Sequence, residues 1–266
     1  MDNIFDSHAH YDDPAFDGDR DTLLRTLPGR GVCGVICAAS NLASARQCIA
    51  LAAQYPYIRA AVGIHPLDAS TVTPSAMDEL RALAAHPLVV AIGEIGLDFH
   101  YDVPREIQLP LLRAQLALAN ELHMPVILHD REAHGPMLEL LHEFRPRGVV
   151  HCFSGSVESA REVLSLGLYI GLGGAATFKN AVHPLEVAAM VPADRLLLET
   201  DAPYMAPVPM RGKRCDSSMI AYTAEKIAAV RGETPEALCA QTRENACRLF
   251  RLPSFSAQGE ASQWKN

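Results

Sequence analysis

The chain has 266 residues, 49% of them hydrophobic, and a formal net charge of −8 at pH 7. That length holds one large α/β barrel or two small domains, and the apolar share fills a complete core. The acidic balance excludes a general-purpose polyanion binder, no apolar run nears the ~20 residues of a membrane-crossing helix, and the start Met1-Asp2-Asn3-Ile4-Phe5-Asp6 has neither the basic nor the apolar region of a signal peptide.

Strand-like and helix-like stretches then alternate. Residues 4–8 read as a strand, and 19–27 as a short helix stopped by Pro28-Gly29. The apolar run 31–38 is of buried-strand type, and Ser40-Asn41 can start a helix reaching residue 54. Residues 57–64 form the third strand, closed by His65-Pro66, and a helix runs from about 74 to 85. The fourth strand is 88–94. A long helix over about 105–123 carries Leu109, Leu112, Leu116 and Ala119 at helical spacing. The fifth strand is 125–129, with a helix to about 144; the sixth is 148–151, with a helix over 157–166. The seventh, 168–172, is followed by a helix over 185–190, and the eighth is 195–199. Two helices, near 218–231 and 235–250, precede a polar segment, 253–266, expected to be a flexible tail.

About eight βα units predict a (β/α)8 TIM barrel, with residues 1–252 as one domain because no linker or composition shift divides them. A doubly wound sheet would show a glycine-rich phosphate loop after its first strand, where this chain has His8-Ala9-His10. The seven cysteines, at 33, 37, 48, 152, 215, 239 and 247, have no zinc-finger or redox-pair spacing and read as reduced thiols of a cytoplasmic protein.

Asp6, His8 and His10 lie two apart, so on a strand they share a face and could hold a divalent metal. All strands of such a barrel end at one rim, where active sites are built. At the same rim strand four ends in Glu94 and the motif running to Asp98, strand five in His129, strand six in His151, and strand eight in Glu199 and Asp201. Four histidines and several carboxylates gathered there would carry a large desolvation cost without cations.

Six motifs in this order resemble the TatD family of metal-dependent hydrolases, within the amidohydrolase-like barrels. They are Phe5-Asp6-Ser7-His8-Ala9-His10, Gly63-Ile64-His65-Pro66, Gly93-Glu94-Ile95-Gly96-Leu97-Asp98, Pro125-Val126-Ile127-Leu128-His129-Asp130-Arg131, His151-Cys152-Phe153-Ser154-Gly155-Ser156 and Leu198-Glu199-Thr200-Asp201-Ala202-Pro203. The segment Glu244 to Phe250 resembles the family's closing helix. The resemblance implies that His8, His10 and Asp201 bind one metal, that His129 and His151 bind another, and that Glu94 bridges the two. No lysine ends strand four, so a carbamylated-lysine bridge is not expected. Zn²⁺, Mn²⁺ and Mg²⁺ all suit such mixed ligands.

Two such ions about 3.5–4 Å apart lower the pKa of a shared water towards ~7. Asp201 can orient that water and take its proton. Glu199 either binds metal or orients a histidine, and Asp6 is expected to support a ligand histidine from behind. His65 either touches substrate or makes a structural hydrogen bond. Arg131 either meets a phosphate or pairs with Glu132 or Asp130. Arg211-Gly212-Lys213-Arg214, the densest basic cluster, could steer a phosphodiester to the metals. Family members of this type often continue with Asn-Glu-Pro where this chain has Cys215-Asp216-Ser217, a departure that bears on substrate preference. Cys152 is expected to pack on the opposite face of its strand, and His100, His123, His134, His142 and His183 to be mostly solvated.

The resemblance implies a deoxyribonuclease of the 3′–5′ exonuclease type, with DNA as substrate; the composition leads us to expect no membrane, no obligate protein partner and a monomeric state. The alternatives are a hydrolase of small amides, lactones or acyl esters, aminoacyl esters on tRNA included, and a non-catalytic metal-binding protein. The complete ligand set with Asp201 speaks against the last.

Overall fold

A computed structural model describes residues 1–253, so apart from Pro253 the expected tail lies outside the described residues. The apolar runs become parallel strands β1 (Ile4–Ala9), β2 (Val32–Ala38), β3 (Ile58–Val62), β4 (Val89–Asp98), β5 (Val126–Arg131), β6 (Gly148–Val150), β7 (Tyr169–Leu172) and β8 (Leu196–Leu198). Each strand pairs with its sequence neighbour. A bridge between Ala9 and Ala202, with the Asp201 N–H donating to the His8 carbonyl, joins the exit of β8 to β1 and closes a (β/α)8 TIM barrel.

The helices between strands are α1 (Arg20–Thr26), α2 (Leu42–Gln54), α3 (Ala76–Ala84), α4 (Arg105–Glu121), α5 (His134–Phe144), α6 (Val157–Ser165) and α7 (Val182–Met190), with α8 (Ile220–Arg231) and α9 (Pro235–Phe250) after β8. Local chemistry sets their starts. The Asn41 side chain accepts the Ala43 and Ser44 N–H groups at the head of α2, and Thr234 caps α9 ahead of Pro235. Phe5, Ile36, Ile127 and Tyr169 fill the barrel interior together with Leu249 and Phe250, so α9 packs onto the strands' bottom end. A second apolar layer, which includes Val35, Leu80, Leu112 and Ile227, lies between strands and helices.

Two departures from the expected strands shape the rim. β4 runs on past Glu94, because Ile95, Gly96, Leu97 and Asp98 pair with Leu128, His129, Asp130 and Arg131 of β5. The approach is close: a Cβ on Gly96 would collide with the His129 carbonyl. In β1 the register slips between Asp6 and Ala9. Strict alternation fails there, and Asp6 does not share the face of His8 and His10.

Candidate metal centre

His8 and His10 leave β1 with their Nε2 atoms 3.0 Å apart. Asp201 Oδ1 lies 3.6 Å from the first and 3.3 Å from the second. Glu94 divides its carboxylate between two groups of donors. Oε2 is 3.3 Å from His8 Nε2 and 3.4 Å from His10 Nε2, while Oε1 is 2.7 Å from His151 Nε2 and 2.9 Å from His129 Nδ1. The His129 and His151 nitrogens are 3.4 Å apart, and His65 Nε2 approaches Glu94 Oε1 at 3.6 Å. Donors around one ion at 2.0–2.1 Å stand about 3.3–3.4 Å apart in a tetrahedron and about 2.9 Å apart in an octahedron. The observed spacings span both.

In their neutral forms, which a bound cation would favour by displacing the ring proton, the histidine tautomers also suit cations. His10 Nδ1 donates to the Ala38 carbonyl at 2.8 Å, which leaves an Nε2 lone pair facing Glu94 and Asp201. His129 Nε2 donates to Asp98 Oδ2 at 3.0 Å, which leaves Nδ1 facing Glu94. Burial favours neutral carboxyls, but the surrounding imidazoles hold Glu94 well below the usual range, and His10 and His8 lower Asp201. Burial likewise lowers the rings, yet Asp201 and Glu94 lift His10 to about 10, and Asp98 and Glu94 lift His129 to about 9. Where burial wins, His8 and His65 fall to about 4. Ionised carboxylates that draw protons onto buried rings are a donor set with affinity for positive charge. By spacing, tautomer and charge the residues fit divalent metal ions.

His10, His65, Glu94, Asp98, His129, His151 and Asp201 line a cavity of about 1210 Å³ at the C-terminal end of the strands, with His8 fully buried behind them. Arg131 lines it too, its guanidinium 5.1 Å from the Tyr101 ring centroid. Neither suggested carboxylate pairs with Arg131: Glu132 bonds His100 and Asp130 bonds His134. Cys152 corrects the expectation of opposite-face packing. With φ 44° just after β6 it turns into the cavity wall, where burial and nearby carboxylates push its thiol far up and keep it protonated. His142 and His183 pair with Glu162 and Glu186 at the surface.

The expected supports differ in detail. Asp6 is fully buried and takes hydrogen bonds from the His8 and Thr200 N–H groups and from the Thr200 and Ser217 hydroxyls. It ties β1 to the exit of β8 rather than orienting the His8 ring, because the register slip turns it away. Burial lifts it to about 6 in spite of those bonds. Glu199 does not line the cavity; it stands behind His151, with Oε1 3.8 Å from His151 Nδ1 and accepting the Cys152 N–H. A Cβ on Gly171 would occupy the space of its second oxygen. Burial pushes Glu199 to about 8.

None of Arg211, Lys213 and Arg214 lines the cavity. Arg211 lies over Phe178, 3.9 Å from the ring centroid, and Arg214 forms a two-pronged pair with Asp19 at 2.7 Å. The Cys215-Asp216-Ser217 departure falls behind β1, where Asp216 pairs with Arg30 and Ser217 bonds Asp6 and Tyr11. It lies away from the cavity. Sequence reasoning missed three supports. Asp98 bonds His129; Gln108 holds the Asp98 backbone at 2.8 and 2.7 Å; Gln115 does the same for Ile64 at 2.8 and 2.9 Å. Both glutamines are fully buried on α4, and a polar pair seven apart within its apolar stripe was the available signal.

A barrel whose mouth gathers imidazoles and carboxylates around a large cavity is the architecture of metal-dependent hydrolases. The family model described as TatD related DNase matches residues 5–251. A Bacillus subtilis protein named as an uncharacterized metal-dependent hydrolase, YabD, is 40% identical over 253 residues, covering 94% of this chain and 99% of its own. A 3′-5′ ssDNA/RNA exonuclease TatD from Erwinia billingiae is 39% identical over 261 residues, covering 94% of this chain and all of its own. The crystal structure of the TatD homologue YjjV from Escherichia coli superposes with a TM-score of 0.89 at 34% identity, over 94% of this chain and 99% of that one. The chain belongs to the TatD family and is a metal-dependent hydrolase acting on ester bonds.

Proposed function

We propose that the chain is a two-metal nuclease that hydrolyses phosphodiester bonds of single-stranded DNA from the 3′ end. The carrying observation is Glu94, whose two oxygens serve separate donor groups, His8 and His10 with Asp201 on one side and His129 with His151 on the other. These six residues are the proposed metal ligands. A pair of divalent ions held there supplies an acidified water and charge stabilisation for the displaced ester oxygen. Asp201 opens to the cavity and takes the proton from the attacking water. Asp98 and the Ala38 carbonyl keep His129 and His10 in the tautomers that present a lone pair. Arg131, which forms no ion pair with a carboxylate among the described residues, meets a phosphate, and the half-exposed Tyr101 face beneath it takes a base. Exonuclease activity on single strands is what the Erwinia relative's name states of that protein, and it supports the direction proposed here.

One observation favours a second reading. Asp12, Asp13, Asp17 and Asp130 also line the cavity, a rim better suited to a small uncharged ester or lactone than to a polyanion. The two readings separate in one experiment. Protein stripped of metal is reconstituted singly with Mg²⁺, Mn²⁺ and Zn²⁺, then assayed on single- and double-stranded DNA labelled at either end and on simple esters and amides. The nuclease reading expects mononucleotides released from the 3′ end of single strands and silence from His129→Ala combined with Asp201→Asn. Higher kcat/KM on esters than on DNA, or DNA cleavage surviving the double variant, overturns it.

A further inference from the structure

Beside the catalytic cavity, three donor atoms from three segments converge on one point. Asp12 follows β1, Cys37 is on β2 and Cys48 is on α2. The sulfur atoms are 3.3 Å apart, and Asp12 Oδ1 lies 3.8 Å from Cys37 Sγ and 3.5 Å from Cys48 Sγ. We propose that Asp12, Cys37 and Cys48 form a separate site for a thiophilic divalent cation, of the Zn²⁺ or Cd²⁺ class, behind the wall of the catalytic cavity.

The spacing supports it. A tetrahedral zinc with sulfur at about 2.3 Å and oxygen at about 2.1 Å has sulfur–oxygen edges of about 3.6 Å and a sulfur–sulfur edge of about 3.8 Å. The sulfur–oxygen edges already match, and the sulfurs need only spread by about half an ångström. The chemistry supports it too. Two thiolates beside a carboxylate make a soft donor set, unlike the imidazole and carboxylate donors of the catalytic centre. No lysine or arginine forms an ion pair with the Asp12 side chain among the described residues; its carboxylate receives only the Ser44 hydroxyl and the two long thiol contacts. Binding replaces two weak S–H contacts with two metal–sulfur bonds and releases two thiol protons to solvent.

An entry route exists. Both thiols are fully buried, but Asp12 and Ser44 line the cavity, so an ion arriving through the mouth meets the carboxylate first. The fourth position falls to a water or to the Ser44 hydroxyl, which lies 2.5 Å from Asp12 Oδ2. The site also grips both segments that hold His10: Asp12 lies two residues beyond it, and Cys37 directly precedes Ala38, whose carbonyl fixes its tautomer. Occupancy therefore couples to the catalytic centre without sharing a ligand with it.

The test uses the full chain, stripped of metal and titrated with Cd²⁺. Sulfur-to-cadmium charge transfer in the near ultraviolet and the cadmium NMR shift both report thiolate ligation, which imidazole and carboxylate donors do not mimic. The expected result is a thiolate band whose final amplitude corresponds to one two-thiolate ion per chain, beside the ions that fill the histidine and carboxylate sites, with an NMR signal in the range of mixed sulfur and oxygen ligation. Cys37→Ala and Cys48→Ala should each abolish the two-thiolate signature, while Cys152→Ala, which alters the one cysteine on the catalytic cavity's wall, should leave it intact. Wild-type protein that fills its histidine and carboxylate sites without a thiolate band overturns the proposal, whatever the variants do. So does a band that survives loss of both Cys37 and Cys48.

Discussion

Asp98→Asn tests the tautomer argument directly. The wild-type carboxylate uses Oδ2 to accept the His129 Nε2–H at 3.0 Å, and Oδ1 to accept the His100 and Tyr101 N–H groups at 3.0 and 3.3 Å. An amide keeps the second role through its carbonyl oxygen but presents N–H to His129. The ring then has to accept at Nε2, which moves its proton to Nδ1 and points a donor at Glu94. Partners of metal-ligating histidines typically contribute 10–100-fold in metal affinity, about 1.4–2.7 kcal/mol. Because one hydrogen bond replaces another, folding stability should change by only about 1 kcal/mol. Calorimetric titration of the stripped variant is expected to show one of two ions bound 10–100-fold more weakly, with hydrolysis recovering at excess metal. Binding of both ions at wild-type affinity would refute the assignment of Nδ1 as the donor atom of His129.

Glu94→Gln removes the charge shared by both donor groups and is expected to lower kcat/KM by about 10²–10⁴-fold, without rescue by added metal. Tyr101→Ala and Arg131→Ala should each raise KM for single-stranded oligonucleotides about tenfold or more while sparing a small phosphodiester, and loss of Arg131 should reduce the salt slope of binding by about one. Arg214→Ala should leave nuclease kinetics at the wild-type level, since that guanidinium is taken by Asp19 and lies off the cavity. An ion held at about 100 times its Kd contributes ~2.7 kcal/mol, so chelation is expected to lower the melting midpoint in a thermal scan by about 5–10 °C per ion removed.

The strand ends were legible because two simple signals coincided there. Apolar runs marked where each strand stops, and polar donors such as His129 and His151 stood at those stops, where a barrel brings them to one rim. What escaped depends on departures from regularity or on distant partners. The register slip in β1 separates Asp6 from His8 and His10, which even spacing in the chain conceals. β4 continues past Glu94, so Asp98, already placed at the rim as part of the strand-four motif, is held in a strand beside His129 and bonds it, a role that ending the strand at 94 hides. The density of charge from Arg211 to Arg214 suggested a free basic patch, yet a sequence does not state that Asp19, 195 residues away, already holds Arg214.

With Arg214 engaged by Asp19 and off the cavity, the electrostatics of the proposed reaction cannot rest on that basic cluster. The chain is acidic, and Asp12, Asp13, Asp17 and Asp130 line the cavity. Arg20, one of its two lining arginines, is spent on the Tyr11, Asp12 and Asp13 carbonyls and on Asp17. A phosphate about 8 Å from a carboxylate, at an effective dielectric between the protein-surface and bulk values, meets a repulsion of about 0.5–2 kcal/mol from each. Arg131 alone does not offset several such terms. On the two-metal reading, divalent ions held by His8, His10, Glu94, His129, His151 and Asp201 would supply the positive charge that does. The same ions would then serve both attraction and chemistry, so the proposed action on a polyanion would not depend on a basic groove, which the described residues do not form at this cavity.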